Sequence, residues 1–141
     1  SESLGVKIRM IAGSGFCLES PVPVLSPTLY AEVAMEAATT LCVPTEHRER
    51  AVYVLSGEVR LDDELLEPQT LVVLTEDEEV RLYAEGESHL VIIGGAPLDG
   101  PRRMNWNFVA SDPGLIDKAR ERWAAGDWPV VAGESGRIEL P

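Results

Sequence analysis

Arg50-Ala51-Val52-Tyr53-Val54-Leu55-Ser56-Gly57-Glu58-Val59 is the stretch on which the fold turns. Val52 to Leu55 is an apolar run rich in β-branched and aromatic side chains, Ser56-Gly57 interrupts it, and Val59-Arg60-Leu61 resumes it. The pattern predicts two strands of a hairpin turning at Gly57. Outward from it, short β-rich runs recur at 40–43, 70–74, 80–83 and 89–93, separated by Asp62-Asp63-Glu64, Glu67-Pro68-Gln69 and Gly86. Upstream, Val6-Lys7-Ile8-Arg9-Met10 and 29–35 alternate with period two, while Pro21, Pro23 and Pro27 space an extended connection between them. Many short strands at this spacing predict an all-β sandwich or closed barrel, and closure removes exposed sheet edges.

After residue 98 the character changes. Asp112 is placed to cap a helix whose first turn holds Pro113, and Leu115, Ile116, Ala119 and Trp123 share one face before Gly126 ends it. Trp123 is expected to anchor this helix to the barrel. The rest of the tail is expected to be irregular, with at most a short strand at Arg137-Ile138-Glu139-Leu140. One domain over 1–141 follows, with a barrel at 1–98 and a tail at 99–141 whose single helix, near 113–125, packs on the barrel's outside.

The chain has 141 residues, 45% of them apolar, enough for one packed core. Its 24 acidic and 12 basic residues give a formal charge of −12, which repels phosphate backbones and argues against direct nucleic-acid binding. Cys17 and Cys42 fit no disulfide framework, zinc or thioredoxin-like spacing and read as reduced residues of a cytoplasmic protein. No run approaches the length of a membrane-spanning helix, and the acidic N-terminus lacks the basic start of a signal peptide. Gly13-Ser14-Gly15 lacks the context of a phosphate loop, and two histidines and two cysteines at unrelated positions assemble no nucleophile-base pair.

The segment around Gly57 resembles the first motif of the cupin fold, a jelly-roll β-barrel. In metal-binding cupins a glutamate stands seven residues before the hairpin glycine, preceded by a His-x-His pair. Here the glutamate position is Arg50, and the two allowed spacings put the pair on Pro44 and Glu46, or on Val43 and Thr45. The second motif falls on Gln69, Thr75, Asp77, Val80 and Ala84, so the fourth ligand position is Val80, which has no donor atom. Glu46, Arg50 and Val80 therefore mark a vestigial metal site, and no metal and no catalytic residue are expected in this chain.

Three ordered sets of residues resemble the C-terminal half of the pirin family. They are 5–12 with Ser20-Pro21-Val22-Pro23 and Ser26-Pro27-Thr28-Leu29-Tyr30; Gly94-Gly95-Ala96-Pro97-Leu98; and Asn105-Trp106-Asn107-Phe108-Val109 before the helix ending Trp123-Ala124-Ala125-Gly126-Asp127. Pirins are bicupins of about twice this length, described as quercetin 2,3-dioxygenase-like enzymes or as regulators that bind transcription factors. The resemblance implies iron, held by three histidines and a glutamate, only in an N-terminal cupin outside this chain, and a C-terminal cupin without metal. The expected partner is that N-terminal cupin domain, with a homodimer of the isolated domain and a further protein partner as additional readings. The chain reads as a fragment or expressed domain, with a natural single cupin as the alternative.

Four groups of residues are candidates for function. His47 and Glu49 lie near the place of a cupin His pair but off its spacing; the alternative is an exposed, charge-balanced turn His47-Arg48-Glu49-Arg50. Arg50, with Tyr53, either lines a metal-free cavity that takes a substrate carboxylate, or Arg50 pairs with Glu46 or another local acid and plugs the old site. Arg102, Arg103 and Trp106 form a candidate interaction surface, since Arg and Trp dominate interface energies. The acidic residues between 58 and 79 read as solvated loops and strand faces, or as a docking surface for a basic partner.

Overall fold

Strands that turn alternate side chains inward, some alternating apolar with polar residues and others apolar throughout, build the first unit of the chain. The computed structural model describes every residue except Ser1, Leu4 and Ser135, with Glu2 and Ser3 described in backbone only. Residues 1–97 form one unit and residues 98–141 another. In chain order the first holds β1 (Glu2–Ser3), β2 (Val6–Gly15), β3 (Leu18–Glu19), β4 (Thr28–Met35), β5 (Thr39–Val43) and β6 (Glu49–Ser56). It continues with β7 (Val59–Leu61), β8 (Glu64–Leu66), β9 (Leu71–Val73), β10 (Val80–Ala84) and β11 (Ser88–Gly95). The second unit holds β12 (Arg103–Asn105), β13 (Phe108–Ala110) and α1 (Pro113–Ala125).

Two antiparallel sheets result. The larger runs β1-β2-β4-β11-β6-β9, with β3 paired to the end of β2, and the smaller runs β5-β10-β7-β8. They are the two layers of a jelly roll, as the cupin resemblance implies, and of the two readings, sandwich or closed barrel, the hydrogen bonding follows the sandwich. Both layers feed one core: Ala31, Val33, Val52, Val54, Leu90 and Ile92 from the larger sheet, and Val43, Val59, Leu82 and Ala84 from the smaller, are all 0% exposed. Burying each of the Val, Leu and Ile side chains among them contributes about 1.5–3 kcal/mol, and period two puts the intervening residues outside.

The stretch 50–59 differs from its reading in one respect. β6 pairs with β11 and β9, whereas β7 pairs with β10 and β8, so the two are not hairpin partners. Gly57 is the point where the chain crosses from one sheet to the other. It adopts φ +90°, and a Cβ there would lie 2.5 Å from the Glu87 carbonyl oxygen and 2.6 Å from Ser88 Cα. Only glycine fits a left-handed bend pressed so closely against a neighbouring backbone.

In the second unit, residues 103–110 form a hairpin, β12 against β13, turning at Trp106 with φ +51°. The helix has the caps its sequence announces. Asp112 Oδ1 accepts from the Gly114 amide at 2.8 Å, and Gly126 is left-handed, with its amide bonded to the Trp123 carbonyl at 3.1 Å. Ile116 is buried, but Leu115 is half exposed, so the apolar face is narrower than expected. Trp123 packs within its own unit: its ring lies 5.0 Å from that of Trp106, 6.3 Å from Phe108 and 5.9 Å from Trp128. Its Nε1 donates to the Ile138 carbonyl at 2.8 Å. The tail segment at 137–140 forms no strand; Trp123 holds its backbone at Ile138, and the Arg137 side chain donates back to the Ala124 carbonyl at 3.2 Å.

Candidate functional site

Arg50, Val52 and Val54 share the inward face of β6, so the spacing that places Arg50 at the old metal-ligand position also buries it. It is 2% exposed. An isolated charge in an apolar core costs several kcal/mol unless the surroundings offer acceptors, and here the acceptors are backbone carbonyls. Nη1 donates to Pro44 at 2.8 Å and to Val43 at 3.4 Å, and Nη2 donates to Thr75 at 2.6 Å and to Glu78 at 2.8 Å. Nε is buried with no hydrogen-bond partner among the described residues. The Arg50 carbonyl also accepts from the Leu74 amide at 2.9 Å.

The expected pairing of Arg50 with Glu46 or another acid is thereby corrected. Glu46 is exposed. Pro44, just past β5, and Thr75 and Glu78, in the connection from β9 to β10, lie outside the strand ladders, and the planar guanidinium fork reaches the carbonyls of both segments. The arrangement satisfies charge and carbonyls together, each such bond contributing about 1.5–3 kcal/mol. One side chain thus ties three segments, the end of β5, β6 and the loop before β10, at one end of the sandwich.

The remaining positions of the vestigial site give no metal-binding set. Pro44 and Val80 have no side-chain donor, Glu46 supplies one carboxylate and Arg50 is a cation. Among the described residues no group of three or more His, Cys, Asp or Glu converges. These residues do not fit Fe, Mn or Zn, each of which needs several imidazole or carboxylate donors around one point.

The exposed-turn reading of residues 47–50 is also corrected. His47 is buried, its Nε2 bonded to the Ser14 carbonyl at 2.8 Å, which fastens the β5–β6 connection to the end of β2. Arg48 reaches out to Glu76 at 2.7 Å, and that hydrogen bond, with the nearby carboxylates, holds its guanidinium above its ordinary pKa. Glu49 is exposed. The other histidine, His89, belongs to the outer face of the larger sheet, where its Nε2 meets Glu32 Oε1 at 2.8 Å and Arg9 binds the second Glu32 oxygen. Cross-strand register creates this Arg9–Glu32–His89 chain, and no local sequence pattern marks it.

Tyr53 lies three residues from Arg50 on a regular strand and therefore points to the opposite face. Arg50 and Tyr53 are not brought together. A cavity of about 700 Å³ does exist, lined by Val6, Met35, Ser56, Glu87, Ser88 and His89 among others. It lies at the far end of the larger sheet: its Ser56 pairs with His89, while Arg50 pairs with Gly94 at the other end of β11.

In the second unit, Arg102 is engaged locally, bound to Asp99 and donating to the Gly100 carbonyl at 2.8 Å. The hydrogen bond from Arg102 and its charge hold the Asp99 carboxyl below the ordinary range. Arg103 is exposed at the start of β12, and Trp106 is half-buried against Phe108 and Trp123. Of the three surface candidates, Arg103 alone presents its side chain largely to solvent.

Comparison with known proteins places this geometry among relatives. The family model described as the pirin C-terminal cupin domain matches residues 30–129. A pirin-like protein of Caulobacter vibrioides is 38% identical over 141 residues, covering 99% of this chain and 49% of that protein. A crystal structure of quercetin 2,3-dioxygenase from Acinetobacter baumannii superposes with a TM-score of 0.88 at 25% identity, covering 100% of this chain and 49% of that one. The cupin domain of an XRE family transcriptional regulator from Enterobacter cloacae, at 14% identity and a TM-score of 0.53 over 67% of this chain and 100% of that one, shares the fold. The chain spans about half the length of the first two.

Proposed function

The chain belongs to the pirin family, as its C-terminal cupin domain, and on that premise we propose that it is a metal-free, non-catalytic cupin that supports an iron-containing cupin of a longer protein. The reaction of that longer protein is then oxygenation of a flavonol, in the manner the name of the Acinetobacter relative describes, with iron and dioxygen held by residues outside this chain. The observation that carries the reading is the Arg50 guanidinium. It occupies the position of the motif glutamate and is held by four carbonyls, where a cation already satisfies the acceptors and repels a second one. Cytoplasmic placement belongs to the same reading and rests on the two free cysteines; no helix among the described residues is long and apolar enough to cross a membrane.

Oxygen uptake by the chain alone, supplied with ferrous iron and quercetin, tests the assignment of chemistry to another part of the molecule. No uptake above the iron-only control is expected. Turnover that follows the chain's concentration would place the reaction here and defeat the proposal.

A second reading, small-molecule binding by this domain, draws on the cavity beside Ser56 and Ser88 rather than on Arg50. A thermal-shift panel of flavonols and small carboxylates distinguishes the two, since a ligand that binds the folded chain raises its melting temperature with concentration. A regulatory role through protein partners would use Arg103 on the tail hairpin, and reversing its charge would then weaken partner capture without unfolding the domain.

A further inference from the structure

The larger sheet ends at β9, which pairs with β6 alone. The Leu74 amide donates to the Arg50 carbonyl at 2.9 Å, and the Thr70 carbonyl accepts from the Val54 amide at 3.1 Å. Backbone groups of an antiparallel strand alternate between its two sides, so residues 70, 72 and 74 turn theirs toward β6, and Leu71 and Val73 turn theirs away. Among the described residues, neither Leu71 nor Val73 has a backbone hydrogen bond on that far side. Both residues are open to solvent, 53% and 76% exposed.

Folded proteins ordinarily guard such an edge with a charge, a proline, a bulge or a cover. Thr70-Leu71-Val72-Val73-Leu74 has no charge and no proline, and Leu71 to Val73 pair with β6 in unbroken register. β8, at an edge of the smaller sheet, holds Glu64 instead and stops shortly before Pro68.

We propose that the free edge of β9 is a docking site for an extended segment of another protein, apolar at alternate positions and flanked by lysine or arginine, which adds to the sheet as a further strand. The unpaired amides and carbonyls of Leu71 and Val73 select an extended backbone, because only a strand has the spacing to bond them all in line. Side chains of the added strand opposite Leu71 and Val73 continue the outer rungs that begin at Tyr53 and Ala51, which favours β-branched residues there.

Charge selects the flanks. Glu67 before β9, and Asp77 and Glu78 after it, are exposed and belong to no ion pair among the described residues, whereas Arg48 and Arg81 already pair with Glu76 and Glu79. Basic residues on either side of the added strand meet these carboxylates, and acidic ones are repelled. The same charge argues against a second copy at this edge. A two-fold pairing of β9 with β9 would set Glu67 of each chain beside the acidic run 76–79 of the other, against a net charge of −12 on both. This inference goes beyond the support role proposed above and is independent of iron.

Fluorescence anisotropy of a labelled peptide Lys-Lys-Thr-Val-Thr-Val-Thr-Lys-Lys, titrated with the full chain in about 50 mM salt, tests it. Saturable binding with a dissociation constant below about 100 μM is expected. The same peptide N-methylated at both valines keeps its charge, loses the amides that face β9, and should bind at least about tenfold more weakly. The peptide with glutamate in place of lysine should lose at least about as much. Val73→Pro removes only an amide on the free side and leaves the bonds to β6 in place, so it should weaken binding about tenfold, with circular dichroism confirming an intact sheet. Glu67→Lys and Glu78→Lys should each weaken it several-fold, and Glu121→Lys, the same charge change on α1, should leave it unchanged. No saturable binding of the lysine peptide to the folded chain overturns the proposal. Equal binding of the N-methylated peptide also overturns it, since the contact would then be charge alone, and that comparison requires no variant to fold. Equal binding of the glutamate peptide, or indifference to both charge reversals, overturns the assigned flanks. A chain that dimerises in sedimentation, and does so less as Val73→Pro, would give the edge to a second copy and overturn the choice of partner.

Discussion

Arg50 and Gly94 face each other across β6 and β11, and the glycine makes room for the arginine. A Cβ at Gly94 would lie 3.2 Å from Arg50 Cγ, 3.3 Å from Arg50 Cα and closer still to the Glu49 carbonyl oxygen. The missing methyl is what lets a long cationic side chain enter the sandwich beside a second backbone. Gly94→Ala should therefore destabilise the chain by about 1–3 kcal/mol through overpacking. Urea unfolding measures it, and an unchanged midpoint would show that the strands separate freely here.

Arg50→Met keeps the length of the side chain and removes all its donors. The carbonyls of Pro44, Thr75 and Glu78 are then left with no described side-chain donor in a buried setting. The expected loss is about 3–5 kcal/mol, as for breaking a buried charged network from one side, and Arg50→Lys should fall between, since an ammonium cannot fork to two segments. A methionine variant as stable as the parent would mean that these bonds contribute nothing net.

Gly57 and Gly86 make a matched pair. Gly57→Ala meets both a positive φ and backbone atoms within 2.6 Å, whereas a Cβ at Gly86 meets nothing within 4 Å. Gly57→Ala should cost more than about 2 kcal/mol, and Gly86→Ala should be neutral or slightly stabilising through the unfolded chain. Equal effects in thermal unfolding would contradict the assignment of Gly57 as the crossing between sheets.

Asp99 supplies a pH-dependent contact. Because Arg102 lowers its folded pKa below the ordinary 3.8, the contact is fully formed above the ordinary carboxylate range and is lost as pH falls through the depressed value. An NMR titration of the Asp99 carboxyl should give a midpoint below 3.8, returning toward it in Arg102→Ala. A midpoint at 3.8 or above in the parent chain would show that the pair does not persist in solution.

The residues differ in how much of this could be read from the sequence. Alternation at Ala31-Glu32-Val33-Ala34-Met35 reveals a half-buried strand because side-chain direction has period two, whatever the strand pairs with. Gly57 announces a break, but a break looks the same whether the chain folds back on its own strand or crosses to another sheet, so the hairpin reading failed there. The inward direction of Arg50 follows from spacing. Its partners do not, because backbone carbonyls carry no residue signature and any sequence supplies them. His47 looked exposed because its neighbours are charged, and its burial depends on the Ser14 carbonyl, 33 residues away. The Arg9–Glu32–His89 chain likewise exists only once three strands are in register.

In the proposed reading the buried Arg50 guanidinium keeps metal out of this cupin. Elemental analysis of the purified chain, after exposure to ferrous iron and removal of the excess, decides the point. Far less than one iron per chain is expected, and iron retained at one per chain would show that the cation at residue 50 does not close the site.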